Sequence, residues 1–261
     1  MQTAEIIEQI KQIAIQAGQA VLRIAEQSKD VKIKADGSPV TKADMASQEI
    51  IKHGLESFSH TPIVSEEHKL PDSRTTLPKY WLVDPLDGTK EFINARDEYT
   101  VNIALVEAAE PVLGVIYAPA VDTLYYAARD NGAWKQLASK PPESISASGA
   151  GDNLRAVVSR SHLSPQTETL LKRLGITNVI SHGSSIKMCA VAEGTAEIYP
   201  RLGPTCLWDT AAGTAIAREA GCAVKNLEGE DLNYDYKKGI KRPGFIVYSE
   251  KCTLDEAKLF S

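Results

Sequence analysis

The chain has 261 residues, 43% of them hydrophobic, and 29 basic against 34 acidic residues give it a net charge of −5. That length supports one or two packed cores. A protein that grips nucleic acid through its phosphates carries a basic surplus or a clustered basic stripe; neither is present, which argues against a nucleic-acid partner. An acidic chain acting on an anionic substrate needs its positive charge supplied locally, by a metal or a few placed lysines. Cys189, Cys206, Cys222 and Cys252 form no C-x-x-C pair and no zinc pattern, and read as free thiols in a reducing compartment. Met1–Glu5 leads into charged and amide residues rather than an apolar leader. No stretch approaches the roughly 18–20 apolar residues of a membrane span. The expectation is a cytoplasmic protein.

In chain order, Ile6, Ile10, Ile13, Ala17, Val21 and Ile24 step by three or four and predict an amphipathic helix. The turn-rich Ala35–Pro39 ends it. Thr41-Lys42-Ala43-Asp44 predicts a second helix start, with Ile50, Ile51, Leu55 and Phe58 on its buried face. Short apolar runs at Pro62–Ser65 and Tyr80–Val83 each lead directly into carboxylates. Thr100–Val106, Val112–Tyr117, Leu124–Ala128 and Gly132–Lys135 predict strands. Lys140–Asp152 is rich in Pro, Ser and Gly, and predicts a seam between two lobes, about 1–140 and 152–261. Beyond it, strands are expected at Ala156–Ser159, Asn178–Ser181 and Ala196–Tyr199. Helices are expected at Pro165–Leu174, Ser184–Glu193, Thr210–Ala220 and over the last dozen residues. The class is mixed α and β, with no internal repeat.

The most informative stretch is Trp81-Leu82-Val83-Asp84-Pro85-Leu86-Asp87-Gly88-Thr89. An apolar strand delivers two aspartates three residues apart, and carboxylates that close repel unless a cation sits between them. Hard cations such as Mg²⁺ take carboxylates, phosphate oxygens and water. Pro85 stiffens the turn, the Leu86 carbonyl can face the same ion, and the Gly88 and Thr89 N–H groups can meet a phosphate oxygen. The competing reading is a polar β-turn in which Asp84 and Asp87 cap backbone groups. Glu66-Glu67 also follow a short strand, although such a pair is usually a solvated surface. Asp209, ahead of Thr210-Ala211-Ala212-Gly213, is by itself an ordinary N-cap. Gly213 weakens that helix unless something approaches closely.

Taken together, Glu66-Glu67, Asp84-Pro85-Leu86-Asp87-Gly88-Thr89 and Trp208-Asp209-Thr210-Ala211-Ala212-Gly213 resemble the inositol monophosphatase superfamily of lithium-sensitive, Mg²⁺-dependent phosphatases. The longer run Tyr80–Ile93 resembles its bacterial CysQ-type 3'(2'),5'-bisphosphate nucleotidases. The resemblance implies one domain over 1–261, built as a layered αβαβα sandwich. It implies two or three Mg²⁺ ions held by Glu66, Asp84, the Leu86 carbonyl, Asp87 and Asp209. Asp44, Thr89 and Glu66 take the catalytic roles, with Thr89 holding the attacking water and Asp44 as its acidic partner. Asp44 at N3 of a capping box is the competing reading, and both are compatible.

The substrate-binding set implied is Asp87, Gly88, Thr89, His162, Ser184, Ser185, Lys187, Arg201 and Asp209. Gly183–Lys187 opens a helix whose start, with a lysine nearby, suits an anion; Arg201 adds a second cation and His162 a purine neighbour. The expected substrate is adenosine 3',5'-bisphosphate, yielding AMP and phosphate, with its sulfated precursor second, in sulfur assimilation and nucleotide recycling. Some bacterial relatives associate with the inner membrane; no anchor is visible here. The rival enzymes are an inositol monophosphatase and a sugar bisphosphatase. A phosphoaspartate enzyme is disfavoured because its D-x-D spacing is absent. The non-enzyme rival is a metal-binding phospholigand sensor; the acids lack the alternation of an EF-hand loop.

Overall fold

Apolar residues spaced by three and four form helix α1 (Thr3–Ala25), which buries Ile7, Ile10, Ile13, Ala17 and Val21. The computed structural model describes residues 3–27, 31–34, 39–68, 72, 75–149, 153–160 and 164–260. A short antiparallel pair, β1 (Val31–Ile33) and β2 (Pro39–Thr41), leads into α2 (Lys42–Glu56). There follow β3 (Ile63–Ser65), β4 (Lys79–Asp87), the short helix α3 (Thr89–Ile93), β5 (Thr100–Glu107), β6 (Glu110–Ala118), β7 (Thr123–Ala128), β8 (Ala133–Leu137) and β9 (Glu143–Ile145). Strands β3 to β9 lie side by side in chain order as one seven-stranded sheet. β3 runs parallel to β4, and every later neighbour is antiparallel. The expected seam over 140–152 therefore holds an edge strand, because Glu143 pairs with Lys135 and Ile145 with Ala133.

The second half contains β10 (Arg155–Ser159), α4 (Pro165–Arg173), β11 (Asn178–His182), α5 (Ile186–Ala192), β12 (Ile198–Arg201), β13 (Thr205–Cys206) and α6 (Leu207–Glu219). It ends with β14 (Cys222–Lys225), β15 (Lys241–Arg242), β16 (Phe245–Ser249) and α7 (Glu256–Leu259). Five of these strands form a mixed sheet in the order β11-β10-β12-β16-β14, and β13 pairs with β15. The sequence pattern missed β14 and β16. In β16 Phe245 to Tyr248 is an unbroken apolar run, the mark of a strand covered on both faces.

Side-chain alternation along the strands builds the layers. Trp81 and Val83 of β4 pack with Ile10, Ile51 and Leu55 of α1 and α2, whereas Tyr80 and Leu82 point the other way, toward Cys189 of α5 and Ile216 of α6. Val157, Val224 and Val247 of the second sheet close the same central cluster. Ala156, Ile198 and Ile246 face outward onto Leu170 of α4 and Leu259 of α7. The order is helices, sheet, helices, sheet, helices: the αβαβα sandwich that the resemblance implied. Each fully buried Ile or Leu contributes about 1.5–3 kcal/mol by leaving water.

Helix α6 sits unusually close to the first sheet. A Cβ on Gly114 of β6 would stand 2.3 Å from the Ala212 carbonyl oxygen, so only glycine admits the helix backbone there. A Cβ on Gly213 would stand 2.5 Å from Met188 Sδ. The close neighbour of that helical glycine is thus α5. These two contacts fix where the start of α6, and Asp209 with it, meets the end of β4.

Candidate active site

Pro85 cannot donate to a sheet ladder, and the ladder between β4 and β5 breaks there. Asp84 pairs with Asn102 and Asp87 with Thr100, with a register shift between them. Three steps along β4 therefore match two along β5, the signature of a bulge with one extra residue. Asn102 and Thr100 share a face of β5, so the bulge puts Asp84 and Asp87 on one face as well. Without it, residues three apart would point to opposite sides. Leu86 turns outward into a cluster with Val21, Ala43, Phe92 and Tyr99. Ser47 of α2 donates to the Pro85 carbonyl at 2.6 Å, and Leu86 N–H donates to Asp84 Oδ1 at 3.0 Å.

Glu66 continues β3, its N–H donating to the Val83 carbonyl at 3.2 Å. Val64 points into the central cluster, so Glu66, two residues on, faces the same layer. Asp209 is not the N-cap of α6. The helix begins earlier, at Leu207, and Asp209 is its N3 residue in a capping box with Cys206. Asp209 Oδ2 accepts from Cys206 N–H at 3.0 Å and Thr205 Oγ1 at 2.8 Å. Oxygens of Glu66, Asp84 and Asp209 all lie within 4.8 Å of one another.

Burial raises the pKa of each of these acids, most strongly for Asp84, where the negative charges of Glu66, Asp87 and Asp209 add to the effect. Asp87 is pushed up to about 7, by burial first and by Asp209 second, against Lys187 and the Ser185 N–H. An all-oxygen set of mutually repelling carboxylates, Asp84 buried and Glu66, Asp87 and Asp209 half-buried, fits a hard divalent cation, which removes the repulsion and takes such donors.

Asp44 is N3 of the capping box that starts α2, and it uses its two oxygens differently. Oδ2 accepts from Thr41 N–H at 2.7 Å and Thr41 Oγ1 at 2.6 Å. Oδ1 accepts from Thr89 Oγ1 at 3.3 Å, and that hydroxyl also lies 3.2 Å from the Leu86 carbonyl. The cap and the threonine contact coexist. Gly88, just before Thr89, has φ +91°, and a Cβ there would stand 2.9 Å from the Glu98 carbonyl oxygen.

Beside the acids lies a cleft of about 140 Å³ lined by Asp87, Gly88, Ser184, Ser185, Lys187, Tyr199, Arg201 and Asp209. Helix α5 is shorter than expected, starting at Ile186, so Ser184 and Ser185 lie in the loop before it. The Ser185 hydroxyl is turned inward, 2.8 Å from both Asn102 Oδ1 and Thr100 Oγ1. Lys187 is 3% exposed, donates to the Ser184 carbonyl at 2.5 Å, and lies 5.4 Å from the Tyr199 ring centre. Burial lowers its pKa to about 8, with Asp87 working the other way. Arg201 Nη2 donates to the Pro204 carbonyl at 2.9 Å, while its buried Nε has no partner among the described residues. An unpartnered donor beside a lysine suits an anion. His162 lies outside the described residues.

Sequence reasoning missed Lys34. It follows β1 and donates to Glu66 Oε1 at 2.8 Å and to Glu67 Oε1. Burial alone would lower its pKa, but these bonds raise it above the ordinary lysine value. Glu67, expected beside Glu66, is thereby tied to the same cation. No helix among the described residues is long and apolar enough to cross a membrane.

The profile of the inositol monophosphatase family matches residues 2–254. The chain is 44% identical over 246 residues to the 3'(2'),5'-bisphosphate nucleotidases CysQ of Salmonella typhimurium and Escherichia coli, covering 93% of this chain and 99% of each relative. The crystal structure of CysQ from Bacteroides thetaiotaomicron, a bacterial member of the inositol monophosphatase family, superposes with a TM-score of 0.81 at 41% identity, covering 95% of this chain and 97% of the other. An IMPase from Thermotoga maritima shares the fold at a TM-score of 0.78 and 22% identity, covering 94% of this chain and 92% of the other.

Proposed function

The chain belongs to the inositol monophosphatase family, and we propose that it is a metal-dependent 3'(2'),5'-bisphosphate nucleotidase that converts adenosine 3',5'-bisphosphate to AMP and phosphate. The observation that supports this best is the meeting of Glu66, Asp84 and Asp209 within 4.8 Å, beside a cleft whose wall carries Lys187 and Arg201. In this reading Glu66, Asp84, Asp87, Asp209 and the Leu86 carbonyl would hold two or three Mg²⁺ ions. Bound there, Mg²⁺ supplies positive charge to the phosphate and makes a water acidic enough to attack.

The chain's own residues do the rest. Thr89 Oγ1, fixed between Asp44 and the Leu86 carbonyl, has its hydrogen directed away from the cleft and a lone pair left to accept a water proton. Asp44 passes no charge to the cleft itself; it holds that hydroxyl and can take its proton. The water oxygen bonds to phosphorus as the bond from phosphorus to the ribose 3'-oxygen breaks, and that departing oxygen takes a proton from solvent. The Gly88 and Thr89 N–H groups, with the Gly88 turn held by its left-handed backbone, face the phosphate oxygens. Lys187, Arg201 and Ser184 bind the second phosphate. The acids collected around the turn would favour a metal-activated water over a covalent phosphoenzyme.

Phosphate release from adenosine 3',5'-bisphosphate and inositol 1-phosphate, measured in parallel with Mg²⁺ and with and without Li⁺, tests the reading. The bisphosphate should be strongly preferred, and Li⁺ should inhibit. Preference for inositol 1-phosphate would transfer the chain to the inositol monophosphatases proper.

A second result follows from Lys187. Its ammonium loses its proton near pH 8, so affinity for the second phosphate should fall as pH rises through that value. Asp87, Arg201, Glu91 and Glu98 are the charges that act on it. Bisphosphate KM is expected to climb above pH 8 in the wild type and to stay flat, at a higher level, in Lys187→Met.

A further inference from the structure

We propose that Glu98 is a positioning residue: it holds the Gly183–Lys187 segment against the Gly88 turn and thereby sets affinity for the substrate's second, non-scissile phosphate. This rests on the bisphosphate reading above. Glu98 lies between α3 and β5, on the side of the first sheet, yet its carboxylate bonds to the second. Oε2 accepts from Arg160 Nε at 2.8 Å and from Gly183 N–H at 3.1 Å. Oε1 accepts from Arg160 Nη2 at 2.7 Å and faces His182 Nδ1 at 3.1 Å. Arg160 Nη2 also donates to the Ser181 carbonyl at 2.9 Å, so the fork reaches both β10 and β11 at their C-terminal ends.

The backbone of Glu98 is gripped as well. Its carbonyl oxygen would stand 2.9 Å from a Cβ on Gly88 and 2.8 Å from a Cβ on Gly183. Two glycines therefore close on one residue, one ending the turn that carries Asp87 and the other opening the segment that carries Ser184 and Lys187. Ser184 Cβ lies 3.3 Å from the Gly88 Cβ position, so the two segments touch. A two-pronged arginine–carboxylate contact fixes direction as well as distance. Arg160 is 43% exposed, and an ion pair so open to water adds little to stability. Its consequence is geometric: a phosphate contact displaced by about an ångström costs a large factor in productive binding.

The test compares adenosine 3',5'-bisphosphate with adenosine 3'-monophosphate, which lacks the second phosphate. Glu98→Ala should raise KM for the bisphosphate about tenfold and keep kcat within about threefold. It should leave KM for the monophosphate within about twofold. Glu98→Gln keeps an acceptor for the Gly183 N–H and should recover most of the loss. If Glu98→Ala melts early, Arg160→Ala, changed at the exposed end of the contact, should give the same KM pattern. Equal KM shifts for both substrates, or an unshifted bisphosphate KM in folded variants, overturn the role of Glu98 alone. A wild type without preference for the bisphosphate removes the parent reading, and this proposal with it.

Discussion

Asp84→Asn is expected to reduce kcat by about a hundredfold or more, while the variant melts higher than the wild type when no metal is present. The first half follows from losing a charged ligand in a site whose chemistry depends on its cation. The second half follows from burial. Asp84 is 2% exposed and faces Glu66, Asp87 and Asp209, so its charge is unfavourable until a cation offsets it. The neutral amide removes that penalty and keeps the acceptor that binds Leu86 N–H. Melting curves with and without Mg²⁺ check both halves. Wild type should gain about 2.7 kcal/mol at a hundredfold excess over its Kd, and the variant much less.

Burial, with the neighbouring charges second, sets a pH dependence in metal-free protein. Asp87 is raised from 3.8 to about 7, so between those values the folded state keeps a proton that the unfolded chain has released. Stability therefore falls as pH rises through that window. Near-wild-type turnover in Asp84→Asn would remove the acid cluster from the mechanism.

Asp44→Asn carries the second large effect, an expected loss of about a hundredfold to a thousandfold in kcat with KM little changed. The amide can still present one oxygen to Thr41 and so keep the cap of α2. The other position becomes an N–H₂ group, which donates to Thr89 Oγ1 where Asp44 Oδ1 accepted. Thr89 can then no longer pass its proton inward. Asp44→Ala makes the contrast, because it also leaves the buried Thr41 N–H without its acceptor, at a stability cost of about 1–3 kcal/mol. Denaturation midpoints separate the two variants, and kcat should not. If Asp44→Asn turns over normally, Asp44 is only a cap.

The elements that carry the acids were legible in the sequence because each follows a short strand or opens a helix. Apolar runs led straight into Asp84 and Glu66, and the resemblance joined them to Asp209; β4 itself continues past Asp84 to Asp87. What the sequence could not show was why Asp84 and Asp87 serve one face, since simple alternation would separate them. That depends on a ladder mismatch against Thr100 and Asn102, and the pairing partner of Pro85 is not written near it. Lys34 and Glu98 were invisible for a related reason. Their partners are dozens of residues away, and neither lies in a periodic segment. The N3 place of Asp209 was missed because the helix was expected to begin only at Thr210, whereas Leu207 and Trp208 are buried in its first turn.

Glu66 follows β3 and Asp84 lies late in β4, neighbouring strands of the first sheet, whereas Asp209 arrives on a helix wedged between that sheet and the next. On the ribosome the first two acids emerge, and can be buried, while their counterpart is still unmade. A nascent chain in that state already holds every strand of the first sheet but lacks the third acid. On the proposed reading, all three acids can meet only once α6 docks at Gly114, so assembly of the middle layer is also assembly of the site.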